Sequence, residues 1–199
     1  MTAEPRRNGL PEQQRTRDDV VRAAGRLFAE RGFHGTSMRD LGNEVGLLGS
    51  SLYSHVSGKD ELLVAVVSRG AALFQALADA VLASDVDPPG QLSMLVEGHV
   101  AIVAANLPEA RTILNEARFL PDDARHAIVE MRDRYEAALR VVIGRGVERG
   151  DFAVDDVGLA AILVLSVLNA FERWFRPDGE RTPEDLAGEM YRFVLGGLR

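Results

Sequence analysis

A short helix predicted from about Leu48 to His55 carries small and polar side chains on one of its faces. Its apolar positions Leu52 and Val56 can face inward. The side chains left outside are Gly49, Ser50, Ser51, Tyr53 and Ser54. A helix that enters the major groove of DNA needs short side chains and hydrogen-bonding groups where it meets the base edges. The chemistry that this segment offers is contact with nucleic acid.

A preceding helix and a turn give this segment the spacing of a helix-turn-helix. Ser37 and Asp40 predict a capping box at the start of the first helix, and Gly46 supplies the turn before the second. Such a turn lets the second helix project at a steep angle, so that its first residues can enter a groove. On spacing alone, two amphipathic helices of an ordinary bundle explain the pattern equally well.

The residue types in this region separate the two interpretations. Phe28–Leu41, followed by Val45–Leu47 and Ser51–Leu62, closely resembles the signature of the TetR family of regulators. The resemblance covers about residues 16–66 and implies that this part of the chain binds DNA. It implies that the residues near phosphates are Thr36, Arg39, Tyr53, His55 and Lys59. It implies that the residues nearest base edges are Gly49, Ser50, Ser51 and Ser54.

Three departures from the family pattern affect how DNA is recognised. Gly42 stands where the family usually has alanine, which costs about 1 kcal/mol of helix propensity. Val56 replaces a usual phenylalanine, and the recognition helix has neither Arg nor Lys. We therefore expect base recognition to be weak or to pass through water, or to depend on backbone contacts and on the Arg6 and Arg7 arm.

Charge is unevenly distributed along the chain. The 199 residues have a net charge of -7, but residues 1–60 contain 9 basic and 8 acidic side chains. The acidic excess therefore lies in the C-terminal part, and phosphate would meet the N-terminal part. There is no cysteine, which is compatible with a reducing cytoplasm. The longest apolar run, Leu159–Leu165, is too short for a membrane span, so a soluble protein without membrane contact is expected.

The elements that position the motif are all predicted to be helical. Every long segment has helical spacing of apolar residues and none alternates as a strand would. The pattern predicts an all-α fold of about nine helices in three parts. Residues 1–12 form a disordered arm, residues 13–62 a DNA-binding domain, and residues 63–199 a domain for ligand binding and dimerisation. A long helix from about Lys59 to Leu82 connects the last two parts.

The segment from Asp156 to Phe175 is apolar on nearly every side. A helix of this kind needs partners all round, so we expect one side to meet the core and the other a second subunit. A fully buried central helix of a monomer is the alternative. The last helix can pair with it, as in TetR-like proteins, which form a four-helix interface from their last two helices. The predicted interface residues are Leu159, Leu163, Leu168, Phe171 and Phe193.

Polar residues within apolar helices are candidates for a ligand pocket, although such residues are more often hydrogen-bonded parts of a core. The candidates are His99, Asn115, Arg118, Asn169 and Arg173. Arg173 is favoured, since an arginine embedded among aromatic residues needs an anionic partner. That partner can be a ligand, or simply Glu172 or another surface acid.

The C-terminal region adds a second resemblance. Arg173–Gly179, with Thr182-Pro183 and Val194–Gly197, is similar to the TetR regulators that respond to acyl-CoA thioesters of fatty-acid or steroid-ring breakdown. This implies an apolar cavity for the acyl group, with arginines at its mouth for the CoA phosphates. A hydrophobic xenobiotic sensed by an efflux-type regulator is the alternative effector.

An enzymatic role finds little support in the sequence. Gly144–Gly150 superficially resembles a dinucleotide-binding loop but follows a helix and has the wrong final spacing. The four histidines have no metal-ligand spacing, and there is no nucleophile elbow. We therefore expect no cofactor, no metal and no catalytic residue. Three function classes remain: a ligand-responsive repressor of a near-palindromic operator, a helical binding module, and a helical enzyme.

Overall fold

The computed structural model describes residues 17–47 and 49–199, and for Gly49 and Ser50 the backbone alone. Within these residues the chain forms nine α-helices and no strand, which confirms the predicted all-α fold. They are α1 (Arg17–Arg31), α2 (Met38–Val45), α3 (Gly49–Tyr53), α4 (Lys59–Leu82), α5 (Pro88–Ala105), α6 (Leu107–Glu116), α7 (Asp122–Arg149), α8 (Val157–Trp174) and α9 (Pro183–Leu198). A 3-10 turn, Ala117–Phe119, follows α6. The predicted arm at residues 1–12 lies outside the described residues.

Capping residues define where the early helices begin. At α2 the predicted box is confirmed: the Asp40 N–H donates to Ser37 Oγ at 3.2 Å, and the Ser37 N–H donates to Asp40 Oδ2 at 2.9 Å. Before α4 the spacing of Ser57 and Asp60 in the sequence predicts a second capping box, and that prediction is wrong. Glu61 takes that place, since its carboxylate accepts from the Ser57 N–H at 2.7 Å and from its hydroxyl at 2.8 Å.

Helix α5 begins earlier than the sequence pattern predicts. The prolines and glycine of Asp85–Gly90 predict a break in the chain as far as Gly90, but α5 starts at Pro88. The Asp87 carboxylate caps it by accepting a hydrogen bond from the Gly90 N–H at 2.9 Å. Prolines are well tolerated in the first turn of a helix, where the backbone N–H groups have no partner within the helix. The two prolines therefore start the helix instead of interrupting it.

The buried apolar side chains form two clusters. The N-terminal cluster joins α1–α4, and the C-terminal cluster joins the second half of α4 with α5–α9. Three residues from beyond α5 belong to the N-terminal cluster: Ile113, Leu120 and Ile128. Packing is thus continuous across residue 62, and the division of the chain at that point stays a prediction.

The C-terminal helices surround α5. Helix α5 packs against α9, α4, α7 and α8, while α6 lies against α1, α4 and α8. Helices α4 and α6 both contact the two ends of the molecule.

By length and composition alone, α4 and α8 are long and apolar enough to cross a membrane. The core helices of helical bundles share this property.

Candidate DNA-binding and effector sites

The turn between α2 and α3 is built on a glycine in the left-handed conformation. Gly46 has φ 66° and ψ 33°, and its N–H donates to the carbonyl of Asn43 at 3.2 Å. A side chain with Cβ rarely adopts this conformation, so glycine suits the position. Leu41 and Leu52 are fully buried behind the turn. The two helices are therefore held at a fixed angle by the core of the N-terminal cluster.

The outer face of α3 carries part of the predicted DNA-contact set. Tyr53 is 56% exposed, and Arg39 at the start of α2 is exposed as well. Ser54 is also exposed and its hydroxyl donates to the Ser51 carbonyl at 2.7 Å, while His55 is half-buried. Gly49 and Ser50 belong to α3, but their side chains lie outside what is described. Arg39, Tyr53 and Ser54 thus all lie on accessible surface.

Two of the residues predicted to lie near phosphates, Thr36 and Lys59, use their side chains to hold the turn between α1 and α2. Thr36 is 1% exposed, and its hydroxyl donates to the carbonyls of Leu27 at 3.2 Å and Gly32 at 3.0 Å. Lys59 Nζ donates to the carbonyls of Phe33 at 2.8 Å and Thr36 at 3.0 Å. Only the third N–H of Lys59 is left for a phosphate, and the Thr36 hydroxyl cannot reach one.

An inner cavity of about 60 Å³ lies between α4, α5, α6, α7 and α8. Its walls are mainly apolar and hold two of the five predicted ligand residues, His99 and Asn169. The lining consists of Ala71, Phe74, His99, Val103, Ala110, Ile113, Leu114, Met131, Arg132, Tyr135, Leu165 and Asn169. Pockets for drug-sized ligands measure about 300–1,000 Å³. The helices must therefore move apart to admit a large effector.

The most deeply buried polar group in the inner cavity is a histidine beside a tyrosine. His99 Nδ1 lies 3.2 Å from Tyr135 Oη, and the His99 Nε2 atom has no hydrogen-bond partner among the described residues. The Phe74 ring lies 4.8 Å from the imidazole, centroid to centroid. Burial lowers the pKa of His99 to about 3, so the ring is neutral at pH 7. Burial also raises the pKa of Tyr135.

A surface groove of about 370 Å³ adjoins the inner cavity and shares Leu114 and Arg132 with it. We call it the arginine groove after Arg118, Arg125 and Arg132, which line it together with Asn115. Arg125 is paired with Asp122 at 2.7 Å. The guanidinium of Arg118 lies over the Phe119 ring at 4.7 Å. Two further predicted ligand residues, Asn115 and Arg118, thus lie here.

Arg173, the favoured ligand residue, lies apart from both depressions. Its side chain is 79% exposed in the single chain and faces the Glu172 carboxylate at 3.7 Å. The expectation that it is embedded among aromatic side chains needs correction, because the chain turns it outward from the end of α8. Glu172 itself is buried and also pairs with Arg111 of α6 at 3.5 Å. The acidic partner of Arg173 is therefore Glu172, the alternative to a ligand that the sequence offered.

Helix α6 connects the inner cavity to the DNA-binding helices. Ala110, Ile113 and Leu114 of α6 line the cavity. On the opposite side, the Thr112 hydroxyl donates to the Gly25 carbonyl of α1 at 3.2 Å. At its end, the Glu116 carboxylate accepts a hydrogen bond from the Phe33 N–H at 2.8 Å. Sequence reasoning missed these contacts, since no local signal relates residues 83 positions apart.

An apolar face of α8 and α9 is left uncovered by the described part of the chain. Leu159, Leu163 and Phe193 are 52%, 57% and 70% exposed and line a groove of about 1220 Å³ between the two helices. Leu168 and Phe171 were expected at the same interface, and that expectation needs correction. Both are fully buried in the C-terminal cluster of their own chain. They lie on the inward face of α8.

The fold and the site together define a helix-turn-helix transcriptional regulator with a helical effector domain. Residues 20–66 match the N-terminal model of the bacterial regulatory proteins of the TetR family, and residues 85–198 match a tetracycline-repressor-like C-terminal domain. The chain belongs to the TetR family. Its predicted family and its class of function are thereby confirmed.

Three relatives cover most of the chain. It is 30% identical over 186 residues to the transcriptional repressor KstR2 of Rhodococcus jostii, a match that spans 92% of this chain and 90% of that protein. The regulator PfmR of Thermus thermophilus is 35% identical with a TM-score of 0.84, covering 90% and 98%. The regulator AibR, solved in complex with isovaleryl coenzyme A and operator DNA, is 25% identical with a TM-score of 0.81, covering 90% and 97%.

Proposed function

We propose that the protein is a homodimeric repressor that holds a near-palindromic operator and releases it when an acyl-CoA thioester binds. One observation carries the effector class: an apolar inner cavity that shares two wall residues with the arginine groove. The apolar walls of the inner cavity suit an acyl group, which enters once the helices have moved apart. Phosphates fit the arginine groove, because arginine binds phosphate through paired, charge-assisted hydrogen bonds. The solved complex of AibR with isovaleryl coenzyme A supports this choice.

The charge arrangement explains why the two environments must be neighbours. CoA phosphates cannot follow the acyl chain into an apolar cavity, since an unpaired buried charge is very costly. Arg118 has no carboxylate partner among the described ion pairs, and neither has Arg132. Both guanidinium groups are thus free to meet phosphate. Arg125 is paired with Asp122 and has less to gain.

Helix α6 transmits the effect of binding. An effector that widens the inner cavity pushes on Ala110, Ile113 and Leu114, and so displaces the helix that holds α1 and the Phe33 turn. Phe33 is the point where Glu116 and Lys59 meet the same backbone. A shift there changes the position of the recognition helix. The effector must bind the displaced state more tightly, because equal affinity for both states shifts nothing.

A second copy of the chain covers the apolar face of α8 and α9. Exposed leucine and phenylalanine side chains next to a large groove are typical of an obligate interface. The two-fold axis of such a dimer places two recognition helices on one face of DNA, which accounts for a near-palindromic operator. The molecule works in the cytoplasm, where DNA and CoA thioesters are found, and no catalytic residue takes part.

A thermal-shift panel followed by an operator-binding assay tests the proposal. The panel contains CoA thioesters of straight and cyclic acids, the free acids, CoA itself and neutral hydrophobic drugs. The thioesters alone should raise the melting temperature, and they should reduce binding to a duplex selected from a random library. A hundredfold excess over Kd stabilises a folded protein by about 2.7 kcal/mol.

Arginine variants sharpen the test. Arg118→Gln with Arg132→Gln should weaken thioester binding at least tenfold, because the phosphates lose charged partners. Arg145→Gln is the matched control, since it lies on α7 about 20 Å along the helix from Arg132 and outside both depressions. Stabilisation by neutral drugs alone, with no effect of the double variant, would reject the thioester in favour of a hydrophobic xenobiotic.

A further inference from the structure

The Nε2 atom of the His99 imidazole lacks the hydrogen bond that a buried polar atom usually makes. The histidine is 2% exposed, and its Nε2 atom is among the few buried side-chain atoms without a hydrogen bond in the described part of the chain. Leaving a buried donor or acceptor unpaired costs about 1–3 kcal/mol. An apolar residue of similar size would remove this unpaired nitrogen, but it would leave the buried Tyr135 hydroxyl without its partner. A bound molecule that completes the hydrogen bond accounts for the histidine.

The tyrosine beside it determines which proton the imidazole carries. The Tyr135 hydroxyl must donate to an acceptor because it is buried, and His99 Nδ1 at 3.2 Å is its described partner. If Nδ1 carried the proton instead, both the tyrosine O–H and the Nε2 lone pair would be left unpaired. The tautomer with a proton on Nε2 leaves only one group unpaired. In that state Nε2–H is a hydrogen-bond donor.

We infer that His99 is a specificity-determining residue, which donates a hydrogen bond from Nε2–H to a neutral carbonyl oxygen of the effector. This inference rests on the proposed effector site. Tyr135 is the positioning residue, since its hydroxyl fixes the tautomer of the imidazole. The carbonyl belongs either to the thioester or to an oxo group on the acyl chain. Both present the same neutral acceptor to the same donor.

The surroundings favour a neutral carbonyl over a carboxylate as the acceptor. The imidazole is neutral at pH 7, since burial lowers the pKa of His99 to about 3, and it offers no counter-charge to an anion. Phe74, Val103 and Leu165 are neighbouring walls of the inner cavity. Arg132 is the one cationic side chain in its described lining, and it is exposed on the side shared with the arginine groove. A carboxylate would lie unpaired against His99, whereas a carbonyl oxygen would not.

Matched pairs of CoA compounds test the donor directly. Hexanoyl-CoA and decanoyl-CoA are each compared by calorimetry with the S-alkyl thioether of equal length, which lacks the carbonyl. A third comparison is between 5-oxohexanoyl-CoA and hexanoyl-CoA. Wild-type protein should bind the carbonyl-bearing member of a pair about 10- to 100-fold more tightly. The pair that shows the difference tells whether the thioester or the oxo group is recognised.

Variants assign this preference to the two residues. In His99→Leu the preference should fall to about onefold, while the thioether binds as in the wild type. In Tyr135→Phe it should be reduced, because the imidazole can adopt either tautomer. Tyr191→Phe is the matched control, since that hydroxyl donates to the Pro89 carbonyl at 3.1 Å, away from the inner cavity. His99→Leu should fold, since it exchanges one unpaired group, Nε2–H, for another, the Tyr135 O–H.

The outcomes separate the two proposals. Equal binding of thioester, thioether and oxo compound by the wild type would overturn the role of His99 and leave the thioester effector intact. A preference that persists in His99→Leu would also overturn it. Binding of none of the CoA compounds would overturn the thioester effector, and the carbonyl contact with it.

Discussion

Glu116 at the end of α6 accepts a hydrogen bond from the backbone N–H of Phe33, 2.8 Å away and 83 residues earlier in the chain. The same phenylalanine donates no other described hydrogen bond, and its carbonyl receives one from Lys59. The stacked ring of Phe119 lies 6.0 Å from the Phe33 ring, centroid to centroid. The turn between α1 and α2 is thus held from the effector domain by a backbone hydrogen bond and by the Phe119 ring. We expect coupling between the two ends of the molecule to pass partly through this hydrogen bond.

Glu116→Ala should weaken this coupling. The variant removes the direct hydrogen bond between α6 and the turn, so a displacement of α6 moves the recognition helix less. We expect the effect of the best-stabilising CoA thioester on operator affinity to fall about 3- to 10-fold, within the usual range of coupling energies. Fluorescence anisotropy with and without the thioester measures it. Glu130→Ala, an exposed carboxylate on α7, is the control, and equal coupling in both variants would contradict the role of Glu116.

Tyr53→Phe should weaken operator binding without changing the melting temperature. The tyrosine is 56% exposed at the end of α3, so its hydroxyl is available to a phosphate and contributes little to the core. Loss of one such contact should reduce affinity about 3- to 20-fold. Electrophoretic titration on the selected duplex provides the measurement. Tyr191→Phe on α9 serves as the control, and unchanged binding by Tyr53→Phe would remove this residue from the interface.

Lys59→Met should lower both stability and operator affinity. Its ammonium group makes two part-buried hydrogen bonds to the carbonyls of Phe33 and Thr36, which are lost in the variant. The free energy of unfolding should fall by about 1–3 kcal/mol. If the third N–H meets a phosphate, the slope of log affinity against log salt should also fall by about 0.9. A lower melting temperature with an unchanged slope would restrict Lys59 to holding the turn.

Phe193→Asp should dissociate the dimer, whereas Leu168→Asp should unfold the chain. Phe193 is 70% exposed on the apolar face of α8 and α9, so a charge there should give a folded monomer that no longer binds the palindromic duplex. Leu168 is fully buried, and an unpaired charge in its place should unfold the chain at a cost of about 3–5 kcal/mol. Light scattering and circular dichroism distinguish the two results. A wild-type monomer at micromolar concentration would contradict the dimer.

Stability should fall on mild acidification because of His99. Burial lowers its pKa to about 3 from an ordinary value of 6.5, so the unfolded chain binds a proton in this interval and the folded chain does not. The contribution of His99 to the free energy of unfolding is therefore fully present above pH 6.5. It falls as the pH is lowered toward 3, by at most about 1.4 kcal/mol per pH unit. Hydrogen bonding, chiefly from Arg17, lowers the pKa of Glu61 to about 2, and stability from this group is lost only below 4.5.

The interval between pH 6.5 and 4.5 isolates the histidine from this carboxylate. Urea unfolding at several pH values should give a slope in wild type that His99→Leu removes. His126→Gln, a change at an exposed histidine of α7, provides the comparison. The same pH dependence in wild type and His99→Leu would show that the buried imidazole does not control acid stability.

The sequence predicts local structure well where a short-range signal exists. Ser37 with Asp40 defines the start of α2, and Gly46 ends it in the left-handed conformation. These signals depend on neighbours within a few residues, so they can be recognised without the fold. The helix-turn-helix and the set of nine helices in the described ranges follow from signals of this kind.

Burial within an apolar helix has no such signal. Leu163 and Leu168 both lie in an apolar run, yet one is 57% exposed and the other fully buried. The same limit applies to the arginines, since Arg173 lies in an aromatic environment in sequence but points outward. Arg132 has a polar sequence neighbourhood and yet lines the inner cavity. Which side of a helix faces inward is decided by contacts with distant helices.

The N-terminal cluster has a consequence for the autonomy of the DNA-binding half. Ile113, Leu120 and Ile128 complete its core, although they follow residue 62 by about 50 positions or more. A fragment that ends near residue 62 would expose the apolar surface that these three residues cover. It should therefore not fold as an independent DNA-binding domain. In a chimera whose first 62 residues come from another regulator, those residues would pack poorly against the rest of the chain. Substitutions in the packing surface of one half should therefore need matching substitutions in the other.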